Sequence, residues 1–319
     1  MANFKAHYGV DSRLMDLNFY SRWFYEDLFL EDFYHEISGK TFQDVYIVNG
    51  WDGYNDLLLG FGGSGFGFTA WGAVTRGTVT FMSEEIYDGP EIWSMQNISV
   101  SAARLYNAAL TYSNADDRAL LASIMAGNDT ITLSAYDDRF EGWAGHDRMS
   151  GQGGNDTLIG GTGNDTLNGG GGYDRLAGGD GNDRLIGAVG NDILKGGNGS
   201  DTLDGGTGRD HLYGGPDAAR DVFIFRAAAE TTVGAQRDQI LQFRAGHDDI
   251  DLSLIDANAA RAGNQAFAFT GTAAAAHSVW YVKQADGVLV RGDINGNKTA
   301  DFEIWVDDAT RLGAGDFIL

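Results

Sequence analysis

The sequence predicts a mainly β protein: a parallel β-roll of nonapeptide repeats, followed by a β-rich C-terminal domain and preceded by a small α+β N-terminal domain. Three observations predict it. Glycine is the strongest compositional bias, 47 residues against two prolines, and 24 of the glycines fall within residues 124–213. In that stretch an aspartate recurs every nine residues, with an apolar residue two places after it. Beyond Arg220 the glycine density drops and short runs of alternating apolar residues begin, the period of β-strands. The domains therefore read as 1–123, 124–213 and 214–319.

The array is regular. Frames of nine give GWAGHDRMS (142–150), GQGGNDTLI, GGTGNDTLN, GGGGYDRLA, GGDGNDRLI, GAVGNDILK, GGNGSDTLD and GGTGRDHLY (205–213), eight units with no slip. Two weaker units precede them, IMAGNDTIT (124–132) and LSAYDDRFE (133–141). GGPDAARDVFIF (214–225) continues the frame with two extra residues before Asp221.

Glycine at positions one, two and four permits positive φ and close backbone approach. This predicts a six-residue turn and a three-residue strand with one inward side chain. Two units then make a coil of eighteen residues, and the apolar eighth positions, Leu158 to Leu212, stack between two sheets. Successive coils sit at the strand spacing of about 4.8 Å. The sixth-position aspartates must therefore form two columns, Asp147, Asp165, Asp183 and Asp201 on one edge and Asp156, Asp174, Asp192 and Asp210 on the other. Asp129 and Asp221 prolong the array as outlying candidates. Asp138, preceded by Tyr136 where glycine is wanted, is a weak one, as is Asp129.

Carboxylates about 4.8 Å apart repel by roughly 3.5 kcal/mol at an effective dielectric near 20, and by about 0.9 kcal/mol in water. A column of them needs a cation. Calcium suits it, taking six to eight oxygens from carboxylates and main-chain carbonyls. The candidate metal residues are thus the aspartates above, with the backbone of Gly161, Gly163, Gly170, Gly172, Gly179, Gly181, Gly197, Gly199, Gly206 and Gly208, for several calcium ions. A disordered glycine-rich linker would not place an apolar residue two after each aspartate. A metal-free solenoid would leave the columns facing only Arg139, Arg148, Arg175, Arg184, Lys195 and Arg209, most of them on strand segments. The nonapeptide resembles the calcium-binding repeat of RTX, or hemolysin-type, proteins.

The last 106 residues carry DVFIF, DQILQF (238–243), DDIDLS (248–253), FAFTG (267–271), WYVKQ, GVLVRGD (287–293) and FEIWV (302–306), which read as an antiparallel β assembly. With RDVFIF, DDIDLSLIDAN, GNQAFAFTGTA, GDINGNKTADFEI and the ending DFIL, residues 124–319 resemble the C-terminal part of the serralysin-type metalloproteases. The resemblance implies a domain that folds on calcium outside a bacterial cell and carries an uncleaved signal, here Asp316 to Leu319, for a type I secretion apparatus. Two positions depart from it: Gln242 where an acidic residue is usual, and Lys298 where a glycine is expected. Asp293, Asn295, Asn297 and Asp301 could hold a further calcium or simply build a polar hairpin turn around Asn295-Gly296-Asn297.

The formal charge of −23 argues against nucleic acid and anionic membrane as partners. No run of about 18 apolar residues suggests a membrane span, and the start MANFKAHYGV does not read as a Sec signal. With no cysteine, disulfides are excluded.

Residues 1–123 hold no recognisable catalytic constellation. His35-Glu36 is followed by Gly39 where a zinc helix HExxH needs its second histidine, so the protease chemistry of the resembled family is absent. The frame around Ser64 ends in Phe66 and fails as GxSxG, leaving a flexible turn. The aromatics of 13–37 suit one or two helices, with His35 on one of them. Residues 77–102 read as two strands about Asp88-Gly89-Pro90. A helix from Ser101 to about Leu110 and another over about 115–125 follow, the last covering the open edge of the roll. The expected function is a secreted, non-enzymatic calcium-binding protein that folds on extracellular calcium after type I secretion. Two alternatives stay open: an enzyme or glycan-binding module in 1–123, or a self-associating surface protein.

Overall fold

The structure, a computed structural model, describes residues 114–258 and 260–319, together with the strand backbones at 3–6, 26–30, 35–37, 40–42, 44–51, 56–68, 74–86 and 91–101. The chain divides into two compact units, Met1–Arg148 and Met149–Leu319.

In the second unit the repeats wind into a parallel β-roll. Its strands are Thr157–Thr162, Thr166–Gly171, Arg175–Asp180, Arg184–Val189, Ile193–Asn198 and Thr202–Thr207. Each has six residues, from position seven of one unit to position three of the next, with a three-residue turn between. The expected division into six turn and three strand residues is corrected accordingly. The reason is the first glycine, which keeps a negative φ and extends the strand, whereas positions two and four take positive φ, as at Gly161 (112°) and Gly163 (121°). Non-glycine residues at position two, Gln152 (φ 78°) and Ala188 (φ 79°), adopt the same backbone.

Strands pair with the strand one coil on, eighteen residues away. Leu158 faces Leu176, Leu176 faces Leu194 and Leu194 faces Leu212 in one sheet, while Leu167, Leu185 and Leu203 align in the other. All these leucines are 0–1% exposed. Burial of one such side chain is worth about 1.5–3 kcal/mol, so the core is thin but continuous.

The roll does not stop where the nonapeptides do. Leu203 pairs with Phe223 and Phe223 with Ile250, while Leu212 pairs with Ile240, all in parallel register. The strands Val222–Ile224, Asp238–Leu241 and Asp249–Asp251 are therefore further half-coils, which corrects the expected antiparallel assembly there. Among the described residues of the second unit, only Ser278–Lys283, Gly287–Gly292 and Phe302–Asp307 form an antiparallel meander, joined to the roll where Ile240 pairs in parallel with Val306. Phe317–Ile318 lies parallel to Ile250–Asp251 in the other sheet.

In the first unit, Asp44–Trp51, Asp56–Phe68, Val74–Ile86 and Glu91–Ser101 form an antiparallel meander with Glu26–Leu30 outermost. The two strands expected around Asp88-Gly89-Pro90 are among them. Glu26–Leu30 and His35–Ile37 are strands, not the helices expected across 13–37; pairing with Asp44–Trp51 and Lys40–Phe42 overrides the helical pattern. Ser64 sits in a bulged strand opposite Thr78, not in a free turn. The helix expected from Ser101 lies outside the described residues. Asn114–Ile124 is helical and buries Leu120 and Leu121, while its Arg118 pairs with Glu141 at 3.0 Å. The edge of the first roll strand, Thr130–Thr132, is taken by Asn3–Ala6, which runs parallel to it and antiparallel to Glu91–Ser101. A strand, and not the helix alone, therefore covers that edge.

Candidate metal centre

In the second unit the sixth-position aspartates, from Asp156 on, stand in the two expected columns, tied by one repeated hydrogen bond. Each main-chain N–H donates to Oδ1 of the aspartate one coil ahead: Asp165 to Asp183, Asp183 to Asp201, Asp156 to Asp174, Asp174 to Asp192 and Asp192 to Asp210, all at 2.8 Å. In the first unit Asp129 donates to Asp147 at 2.7 Å in the same way. Position five carries a ladder of opposite sense, with Asn182 N–H donating back to Asn164 Oδ1 and Ser200 N–H to Asn182 Oδ1. Adjacent residues of one turn thus hold the coils on both sides.

Oδ1 is therefore satisfied by protein. In Asp183, Asp192, Asp201 and Asp210, side chains 0–2% exposed, Oδ2 is buried without a hydrogen-bond partner. The first glycine of each unit is what leaves room beside it. A Cβ on Gly178 would lie 2.2 Å from Asp183 Oδ2 and 2.6 Å from the carbonyl oxygen of Gly196. On Gly187 it would meet Asp192 Oδ2 at 2.4 Å and Gly205 O at 2.5 Å, and on Gly196 Asp201 Oδ2 at 2.2 Å and Gly214 O at 2.5 Å. Carboxylate and carbonyl oxygens from successive coils converge on each such point, a hard, all-oxygen donor set that fits calcium. Among the described residues no group of three or more His, Cys, Asp or Glu side chains converges as a metal cage, so main-chain oxygens are needed to complete any site.

A model of the peptidase M10 serralysin C-terminal region matches residues 107–319. The chain belongs to this family. Two solved structures are similar: the AlgE6R3 subunit of the mannuronan C5-epimerase of Azotobacter vinelandii, at 25% identity over 50% of this chain and 80% of that one, and the extracellular lipase LipA of Serratia marcescens, at 16% identity over 60% and 40%, each with a TM-score of 0.27. A comparison with curated proteins finds no match. Among the described residues no helix is long and apolar enough to cross a membrane.

In this serralysin-family roll the glycines selected from the sequence are conformational. Gly161, Gly163, Gly170, Gly172, Gly179, Gly181, Gly197, Gly199, Gly206 and Gly208 all have positive φ, whereas the position-one glycines beside Oδ2 were not singled out. Asp238 and Asp248 were missed as rungs. Asp210 N–H donates to Asp238 Oδ1 at 2.8 Å, and Asp221 N–H, itself beyond the Asp201 rung, to Asp248 Oδ1 at 3.1 Å. Their signal was present: Asp238-Gln-Ile240 and Asp248-Asp-Ile250 keep an apolar residue two after the aspartate, but at steps of 28 and 27 residues instead of eighteen. Asp138 turns its Oδ2 to its own loop, accepting from Ser134 N–H and Oγ.

The loop at Asp293 is built differently. Its carboxylate accepts N–H bonds from Asn295, Gly296, His277 and Lys298 at 2.9–3.3 Å. Burial pulls that carboxyl upward, yet the main-chain donors prevail and hold it below the ordinary value. Asp301 accepts from Ile294 and Asn295, and Lys298 takes φ 68° where glycine is expected. These main-chain donors shape the turn around Asn295-Gly296-Asn297.

In the roll, by contrast, burial pushes the ladder carboxyls up, against the lowering effect of the N–H bonds and with repulsion from nearby carboxylates, those of adjacent rungs at Asp183, Asp192 and Asp201 and those of Asp204 and Glu230 at Asp210. Asp183 and Asp210 reach about 6, Asp192 about 7 and Asp201 about 8.

Proposed function

We propose that the chain is a secreted, non-catalytic calcium-binding protein whose roll stays open where calcium is scarce and closes on extracellular calcium after passage through a type I secretion apparatus. The observation that carries this reading is the row of buried, partnerless Oδ2 atoms at Asp183, Asp192, Asp201 and Asp210. Burying an uncompensated carboxylate costs several kcal/mol, so a stack of them opposes its own closure near neutral pH. When bound, calcium supplies the compensating positive charge. The chain supplies the rest: position-one glycines keep the oxygens accessible, Oδ1 sets the rung spacing, and the leucines seal the coil beneath. Membership of the serralysin C-terminal family supports export by the type I route.

Far-UV circular dichroism at pH 8 in chelator and in about 10 mM calcium tests it, since extracellular calcium modules bind on the order of 10⁻⁴ to 10⁻³ M. The roll signal is expected to appear only with calcium. A chain fully β-structured in chelator overturns the proposal.

A further inference from the structure

The first strand of the repeats is joined to the N-terminal meander by one short segment. Asn3–Ala6 lies between Glu91–Ser101 and Thr130–Thr132, and among the described strands no other pairs with both. On one side it runs antiparallel, with Phe4 opposite Met95 and Ala6 opposite Trp93. On the other it runs parallel, with Asn3, Phe4 and Lys5 opposite Thr130, Ile131 and Thr132. Phe4 is thus in register with Ile131, which is 1% exposed at the inward eighth position of its repeat.

Thr130–Thr132 is tied to the ladder. Asp129 N–H donates to Asp147 Oδ1 at 2.7 Å and Arg148 N–H to Asp129 O at 2.9 Å, just as Asp156 donates to Asp174 Oδ1 and Arg175 to Asp156 O in an interior coil. The strand has three residues, too few to persist as an extended edge unless that rung fixes it. Asn3–Ala6 has four, shared between two partners. A strand between two others sends its main-chain groups alternately to either side, so without Thr130–Thr132 about half of them lose their partners. Pairing with Glu91–Ser101 alone then offsets poorly the backbone entropy lost in ordering the segment. The meander carries no such dependence, because Asp44–Trp51, Asp56–Phe68, Val74–Ile86 and Glu91–Ser101 each pair with their neighbours in sequence.

We infer that Asn3–Ala6 is a calcium-gated clasp. It enters the sheet when the Asp129–Asp147 rung closes, fastening the meander to the first repeat, and leaves when calcium is withdrawn. A segment that holds no carboxylate of its own therefore responds to calcium. This rests on the calcium reading of the ladder.

Hydrogen exchange of the full-length chain, read by mass spectrometry on peptic peptides in about 10 mM calcium and in chelator, tests it. Residues 3–6 and 130–132 are expected to be protected in calcium and to lose that protection together in chelator. Phe4→Pro puts a residue without an N–H into the middle of the clasp and touches no ladder group. In calcium it is expected to lower protection at 93–96 and 130–132 while residues 157–207 stay protected. Asp147→Ala, which removes the acceptor of the Asp129 N–H, is expected to release 3–6 and 130–132 and to spare 157–207. Protection at 3–6 that is equal in calcium and chelator, or intact in D147A, overturns the clasp, as does undiminished protection at 130–132 in F4P. Should D147A lose protection at 157–207 as well, calcium titration of the intact chain replaces it: protection at 3–6 is expected to rise with that at 130–132, and a separate rise overturns the inference. Residues 157–207 equally protected in chelator defeat the calcium reading itself, whereas calcium-dependent protection there with 3–6 unchanged defeats only the clasp.

Discussion

The main-chain N–H of Asp183 donates to Oδ1 of Asp201 at 2.8 Å, and the same Asp201 holds its other oxygen buried with no donor at all. One carboxylate thus serves as a spacer between coils and as an open ligand. The two roles respond to pH in opposite directions.

Without metal, the folded-state values of about 6 for Asp183 and Asp210, 7 for Asp192 and 8 for Asp201 all stand above the ordinary 3.8. The folded roll then binds more protons than the unfolded chain. The stabilisation is complete below the unfolded value and is lost as pH rises through about 6 to 8. Metal-free protein is expected to show more roll structure at pH 5 than at pH 8 by circular dichroism. With calcium the order reverses, because protons compete for the same oxygens. Equal metal-free spectra at the two pH values would count against buried, partnerless carboxylates.

Glycine at position one has a different task from glycine at position three. On Gly178 a Cβ meets a carboxylate oxygen at 2.2 Å and a carbonyl at 2.6 Å, while on Gly171 it meets nothing within 4 Å. Gly178→Ala is expected to destabilise the calcium-loaded roll by about 2–4 kcal/mol, and Gly171→Ala to change it by no more than about 0.5 kcal/mol. Urea unfolding in saturating calcium compares them, and similar losses at both sites contradict the assignment.

The repeat was legible because its restraints are local: a turn needing positive φ every nine residues, and one inward apolar residue two after each aspartate. The C-terminal half-coils were less legible because Asp238 and Asp248 come after insertions, so the eighteen-residue step that locates Asp201 from Asp183 fails there, and alternation alone does not distinguish parallel from antiparallel pairing. In the first unit the misreadings at Glu26–Leu30 and His35–Ile37 have another origin. Aromatic residues suit helix and strand alike, and the partner strand Asp44–Trp51, which decides between them, is remote in sequence.

Position two offers the reverse of the Gly178 experiment. Ala188 occupies a backbone with φ 79° that its counterparts Gly179 and Gly197 take at 117°. A non-glycine residue held there is strained by about 1 kcal/mol. Ala188→Gly is therefore expected to stabilise the calcium-loaded roll by about that amount, offset in part by the added freedom of the unfolded chain. A higher denaturation midpoint with unchanged calcium stoichiometry supports this; a lower midpoint shows that Ala188 packs in a way that outweighs its strain.

Glu303 separates stability from metal binding. Its side chain, 3% exposed, accepts from Arg237 Nη2 and Arg291 Nε at 2.9 Å and from Gly234 N–H at 3.1 Å, tying the insertion before Asp238 to the antiparallel meander. Glu303→Gln leaves two arginines facing a neutral amide. Removing one partner of a buried ion pair costs about 3–5 kcal/mol, and the arginines' 28% and 36% exposure places this case toward the lower figure. Because Thr231 Oγ1, which accepts the Asp238 N–H at 3.0 Å, donates to the main-chain oxygen of Glu303 and not to its carboxylate, that cap on Asp238 survives the substitution. Urea unfolding in calcium is thus expected to show a loss near 3 kcal/mol, with the number of bound ions unchanged. A lost ion would mean that the arginine pair, and not Thr231 alone, positions the last rung.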